Sequence, residues 1–237
     1  MPKTIPHRGF GASPSVEANA EEWTIRCGAM IEKQIRARGV TSEAVLEAMQ
    51  SVPRHEFVDI EQRHAAYEDK PLPIGFGQTI SQPYIVAAMT AALQLRDTER
   101  VLEVGTGCGY QTAVLCHLAK EVHTIERHPE LAKAASARLT RLGYKNAHVH
   151  CGDGTLGLPE FAPYDAILVA AAARATPPPL LMQLSKGGRL IIPIGSSEQQ
   201  SLKLFSRKAD SIHFSELEAC RFVPLIGYYS VQEFSER

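Results

Sequence analysis

The chain has 237 residues, 44% apolar and 22% charged, with 25 Lys+Arg against 26 Asp+Glu and a formal net charge of −1. These proportions exclude disorder as the default state and leave no basic excess for nucleic-acid binding by bulk electrostatics. No apolar run approaches the ~18 residues of a membrane span, and the first residues lack the apolar stretch, roughly 7–15 residues long, of a secretory signal. Residues 1–18 are rich in Pro, Gly and Ser, show no period, and read as a flexible leader. From Ala20, Trp23, Cys27, Met30, Ile31 and Ile35 recur at helical steps, and Gly39 sits where a helix would stop. Thr41 is the expected cap of a second helix carrying Val45, Leu46 and Met49, and Pro53 ends it. Tyr67–Gln82 holds Pro71, Pro73, Gly75 and Gly77 and reads as an ordered loop. Pro83 then opens a helix over Tyr84–Leu95.

From Arg100 onward strands and helices alternate. Strands are expected at Val101–Val104, Val122–Ile125, Ala147–His150, Ala166–Ala170 and Arg189–Ile194. Helices are expected at Tyr110–Ala119, Pro129–Leu142 and Leu180–Leu184, the last ended by Gly187-Gly188. This order predicts an α/β fold with a doubly wound, mostly parallel sheet and right-handed crossovers. Ser201–Arg207 and Ser211–Glu218 read as an antiparallel C-terminal edge. Five scattered cysteines, an odd count without C-x-x-C or zinc spacing, point to reduced thiols, with no disulfide framework and no metal site. Cys108 and Cys116 read as core filling. Pro177-Pro178-Pro179 reads as a rigid entry to the next helix.

The most informative segment is Val101-Leu102-Glu103-Val104-Gly105-Thr106-Gly107-Cys108-Gly109-Tyr110, a strand running through three alternate glycines into a helix. Glycine permits the sharp turn and lets a ligand approach the backbone. No Gly-Lys-Ser/Thr follows, which excludes a P-loop, and G-x-G-x-G departs from the dinucleotide pattern G-x-G-x-x-G. Glu103 would repel a pyrophosphate and suit a cationic ligand. Glu126 ends the second strand, where an acid can accept from both hydroxyls of a ribose. Asp153, in Gly152-Asp153-Gly154, follows the third strand, within reach of an adenine. Three acids around one turn favour S-adenosylmethionine over NAD, because the former carries a sulfonium and an ammonium and no phosphate. The plainer readings are a solvated strand end for Glu126 and a turn residue for Asp153.

Ile74-Gly75-Phe76-Gly77-Gln78-Thr79-Ile80-Ser81-Gln82-Pro83 resembles the signature loop of the protein-L-isoaspartate O-methyltransferases. The resemblance continues through Pro53–Val58, Leu102–Gly109, Gly152-Asp153-Gly154, Ala162–Ile167, Gly187–Leu190 and Arg221–Leu225, covering about Ala20 to Gly227. It implies a Rossmann-like S-adenosylmethionine-dependent methyltransferase fold with N-terminal helices. It implies methyl transfer to the α-carboxylate of L-isoaspartyl residues in damaged proteins and peptides, with S-adenosyl-L-homocysteine as product. The ester then closes without enzyme to a succinimide that hydrolyses partly to aspartate. A cytoplasmic monomer is expected, with neither nucleic acid nor membrane as partner. The expected division is a leader over 1–18 and one methyltransferase domain over 19–237, with helices and signature loop in 19–98 and the donor-binding sheet and edge in 99–237.

Carried over residue by residue, the active-site serine falls on Ser81. Donor-binding positions fall on Thr79, Ile80, Gln82, Gly105, Glu126, Arg127, Asp153 and Gly154, to which the turn itself adds Glu103, Gly107 and Gly109. The isoaspartyl peptide is implied near Val223, Pro224 and Leu225. Arg221 is a candidate partner for its carboxylate or backbone, or else a surface ion pair. Two departures stand out: Ala170–Arg174 followed by three prolines, and Ile226-Gly227-Tyr228-Tyr229 beyond the shared segment. A substrate carboxylate is already ionised at neutral pH, so no strong base is needed. Ser81 could orient it by one hydrogen bond, or cap the helix that follows. The rivals are a methyltransferase for another carboxylate or small molecule and a donor-binding adaptor without turnover.

Overall fold

The computed structural model describes residues 14–209 and 211–230. Helix α1 (Pro14–Met30) begins inside the stretch expected as leader, whose residues 1–13 lie outside those described. It widens into a π turn over Ile31–Ile35 and tightens to 3-10 over Arg36–Arg38. Gly39, at φ 92°, ends it at the expected position. A Cβ built on Gly28 within α1 meets nothing within 4 Å. Gly28→Ala is therefore expected to stabilise the fold by about 0.5–1 kcal/mol, read as a higher urea midpoint. Helix α2 (Glu43–Ser51) buries Val45, Leu46, Ala48 and Met49. Its N-cap is Ser42 rather than Thr41, and no side chain makes a capping bond.

The segment expected as a loop contains a hairpin, β1 (Leu72–Gly75) and β2 (Gln78–Ile80), with Leu72 opposite Ile80 and Pro73 opposite Thr79. Strands of four and three residues are too short to show a period, so the turn-formers dominated the sequence pattern. Gly75, Phe76 and Gly77 all take positive φ at the tip. Helix α3 (Pro83–Leu93) starts on its proline, is apolar nearly all round, and is correspondingly buried.

The alternating half follows as β3 (Arg100–Val104), α4 (Tyr110–Leu118), β4 (Glu121–Glu126), α5 (Pro129–Arg141), β5 (Ala147–Cys151), β6 (Tyr164–Val169), α6 (Pro178–Met182), β7 (Leu184–Gly195), β8 (Gln200–Lys208) and β9 (Ser211–Cys220). The sheet order is β5-β4-β3-β6-β7-β8-β9. The first five of these strands run parallel, and β8 and β9 close the far side antiparallel, as the sequence pattern indicated. Strand β7 begins earlier than expected. Leu184 already pairs with Tyr164, and Gly187-Gly188 lies in an irregularity within the strand rather than before it.

Successive strands run outward from β3 to β5, and the chain then returns to place β6 on the other side of β3. That reversal opens a crevice at the carboxyl ends of β3 and β6, where a doubly wound sheet binds ligands. Leu102 and Val104 pack with Ile167, Val169, Leu190 and Leu225 on one face. Val101 packs with Met89, Leu93, Leu115 and Leu168 on the other. Among the described residues no helix is long and apolar enough to cross a membrane.

Candidate active site

A cavity of about 920 Å³, solvent at its mouth included, occupies this crevice. Its walls bring together four remote parts of the chain: Thr79, Ile80 and Ser81 from the hairpin, Gly105, Thr106 and Gly107 from the glycine turn, Glu126, Arg127 and Gly154 from the next strand ends, and Phe222–Ile226. Gly105 and Gly107 take φ of 94° and 53°, conformations that side chains resist. The Gly105 amide donates to the Ile125 carbonyl at 2.9 Å, which bends the turn over the end of β4.

Glu126 accepts at both oxygens, from the Gly107 amide at 2.9 Å and the His128 amide at 3.0 Å. Its carboxylate thus ties the turn to the strand while still lining the cavity. Arg127 is the one cation among the described lining residues. An acidic strand end and a bare backbone, without a cluster of cations for phosphate, fit a phosphate-free cationic donor.

Ser81 precedes the N-cap of α3, which is Gln82, and no side chain caps that helix. The Ser81 hydroxyl therefore does not serve the helix, and among the described residues it has no hydrogen-bond partner. Its carbonyl accepts from Arg54 at 2.7 Å.

Five expected positions fall outside this lining. Glu103 is fully buried behind the turn and accepts from the Thr112 hydroxyl at 2.5 Å. Its alternation in β3 points it at α4, and burial pushes its carboxyl up to about 8. Gly109 does not line the cavity. It caps α4 at φ 89°, where a Cβ would stand 3.3 Å from Leu139 Cδ1. The side chain of Gln82 turns outward and donates to Asp69 at 2.7 Å.

Asp153 is engaged by its own chain. It accepts from the Thr155 amide at 2.8 Å, the Thr155 hydroxyl at 2.7 Å and the Tyr228 amide at 2.6 Å. Burial raises its carboxyl, but these hydrogen bonds outweigh that and hold it below the usual range. Arg221 is exposed and outside the lining.

The chain turns into the cavity only after Arg221. Gln200 clasps the Phe222 backbone, donating to its carbonyl at 3.2 Å and accepting from its amide at 2.7 Å. The Ala172 amide donates to Val223 at 2.8 Å, and the Leu225 amide to Ala172 at 2.7 Å. The departure at Ala170–Ala173 thus supplies a backbone edge for Val223-Pro224-Leu225. The other departure is placed as well: the Tyr228 and Tyr229 amides donate to Asp153 and Thr155.

Sequence reading missed Tyr110, Gln111, Phe222 and Ile226 as lining residues, and Arg54 behind them. Burial of a charged side chain leaves no periodic signal, and Arg54 was marked only by the resemblance around Pro53.

Comparison with known proteins accords with this geometry. Residues 26–230 match the family model described as protein-L-isoaspartate(D-aspartate) O-methyltransferase. A protein-L-isoaspartate O-methyltransferase of Picosynechococcus sp. is 50% identical over 223 residues, 94% of this chain and 96% of that protein. One from Koribacter versatilis is 54% identical over 198 residues, covering 84% and 89%. A solved protein-L-isoaspartate O-methyltransferase superposes at TM-score 0.75 with 30% identity, over 87% of this chain and 66% of that longer one. A Plasmodium falciparum structure described as a member of the same family, in complex with S-adenosyl-L-homocysteine, superposes at 0.74 with 25% identity, over 84% and 98%. The chain belongs to the protein-L-isoaspartate (D-aspartate) O-methyltransferase family.

Proposed function

We propose that this chain methylates the α-carboxylate of L-isoaspartyl residues in damaged proteins and peptides, with Ser81 orienting that carboxylate. The observation that carries the reading is Ser81's hydroxyl, unpaired among the described residues and in the lining of the same cavity as the glycine turn. S-adenosylmethionine, when bound, supplies an electrophilic methyl group on its sulfonium. Gly105, Gly107 and Gly154 offer backbone without side chains for close approach. Glu126 and Arg127 stand at the strand end where a ribose would lie, and Thr79 and Ile80 flank the reacting side.

Val223, Pro224 and Leu225 form the wall along which a polypeptide would lie, held by Ala172. The substrate carboxylate needs no base, since it is ionised at neutral pH. The residues therefore act by alignment, and such positioning supplies up to roughly 7–11 kcal/mol. The released ester would close to a succinimide without further help from the chain. Asp153 contributes by holding the C-terminal segment in place. This reading takes a single chain in the cytoplasm as the working unit, with polypeptides as its partners. Residues 19–237 would act as one domain, whose 19–98 part brings Ser81 to the sheet of 99–237.

The test uses labelled donor and two peptides that differ only in isoaspartyl or aspartyl linkage. Base-labile label on the isoaspartyl peptide alone is the expected result, and equal labelling of both would refute the reading. Ser81→Ala is expected to lower kcat at least ~10-fold, about 1.4 kcal/mol of transition-state stabilisation. Its melting temperature should barely change, because the hydroxyl holds nothing in the fold.

A further inference from the structure

We propose that Arg54 is a positioning residue for Ser81, fixing the serine from behind the cavity wall. The inference rests on the methyl-transfer reading above and extends it to a residue outside the cavity. Arg54 follows α2, and its side chain is fully buried. Nε donates to the Ala66 carbonyl at 2.7 Å, and Nη2 donates to the Ser81 carbonyl at 2.7 Å. The guanidinium carbon stands 4.7 Å from the ring centre of Tyr110. Tyr110 and Ser81 both line the cavity. Nη1 has no hydrogen-bond partner, and among the described residues no carboxylate pairs with the charge.

A buried cation without a counter-ion is costly, and a neutral side chain could fill the same space more cheaply. The charge is kept where its planar fork holds two carbonyls at once in one fixed geometry, which the freely rotating donors of an ammonium do not impose. One of those carbonyls belongs to the residue whose hydroxyl faces the substrate. Fixing the peptide plane after Ser81 fixes the backbone rotation at that residue, and with it the direction of its Cα–Cβ bond. Pro83 and the Gln82–Asp69 hydrogen bond restrain the chain beyond, but neither acts on Ser81 itself. Arg54 thus fixes the carbonyl side of Ser81, as the pairing of Ile80 with Leu72 fixes the chain before it, and so sets where the Cβ that carries the hydroxyl projects.

The test is a double-mutant cycle on the full chain with Arg54→Lys and Ser81→Ala. It measures kcat and KM for an isoaspartyl peptide and Kd for S-adenosyl-L-homocysteine. Ser81→Ala keeps the carbonyl that Arg54 holds, so the cycle isolates the hydroxyl. Arg54→Lys is expected to lower kcat at least ~5-fold in the parent chain, with product Kd within ~2-fold, and by less than ~2-fold in the Ser81→Ala background. Arg54→Gln, neutral and of similar length, runs the same cycle if Arg54→Lys does not fold. Equal losses in both backgrounds overturn the positioning role and leave the serine reading standing. So does a Kd that rises in step with the fall in kcat, or an unchanged kcat in the single variant. Full kcat in Ser81→Ala alone overturns the serine reading and this one together.

Discussion

Gly154→Val is expected to weaken S-adenosyl-L-homocysteine binding at least ~100-fold, about 2.7 kcal/mol. Gly154 lines the cavity directly above the ends of β3 and β4. A Cβ built there stands 2.5 Å from Val104 Cγ1 and 3.5 Å from Ile125 Cγ2. Both neighbours are buried core residues that cannot swing aside. The backbone must instead lift, and the space above it is the ligand's. Overpacking of this kind also costs about 1–3 kcal/mol of stability. Calorimetric titration gives the first effect and urea unfolding the second. Affinity within threefold of the parent would show that the ligand does not approach this backbone.

Glu103→Gln is expected to stabilise the protein increasingly as pH rises from about 5 to 8. Burial pushes the native carboxyl up to about 8, whereas an unfolded glutamate titrates near ~4.3. Between those values the native state holds one proton more than the unfolded state. Raising the pH therefore favours unfolding by about 1.4 kcal/mol per unit across that window, and this group adds no slope beyond it. Glutamine keeps the shape, accepts from Thr112 and does not ionise. The difference in unfolding free energy between variant and parent should be small at pH 5, grow toward pH 8 and then level off. A difference independent of pH would mean that Glu103 is charged in the native protein. Donor affinity should be nearly unchanged, since the side chain lies behind the turn.

The sheet was legible because its short strands alternate with helices that carry their own stops. Pro129 and Gly143 bracket α5, and the short apolar run at Val101–Val104 announced a strand ahead of the glycines. What escaped was anything decided by direction rather than residue type. Glu103 and Glu126 are both strand acids near the glycines, yet β3 turns one toward α4 while β4 ends with the other at the cavity. Gly105 and Gly109 belong to one motif, but the first lines the cavity and the second caps a helix. Gln82 adjoins Ser81, and the start of α3 sends their side chains apart. Arg221 falls outside the lining because Gln200 grips the following residue and bends the chain only there. Arg54 escaped because its two partners are carbonyls, which every residue carries.

The Ala172 clasp on Val223 and Leu225 also sets an order of events during synthesis. Hairpin, glycine turn, Glu126 and Gly154 all leave the ribosome before the segment that completes their wall. At ~5–20 residues per second, several seconds separate Gly154 from Ile226. Through that interval the nascent chain carries the serine and the turn but only part of the enclosure. A growing chain of this kind should be unable to retain the methyl donor, so capture of the ligand and closure of the cavity become one late event.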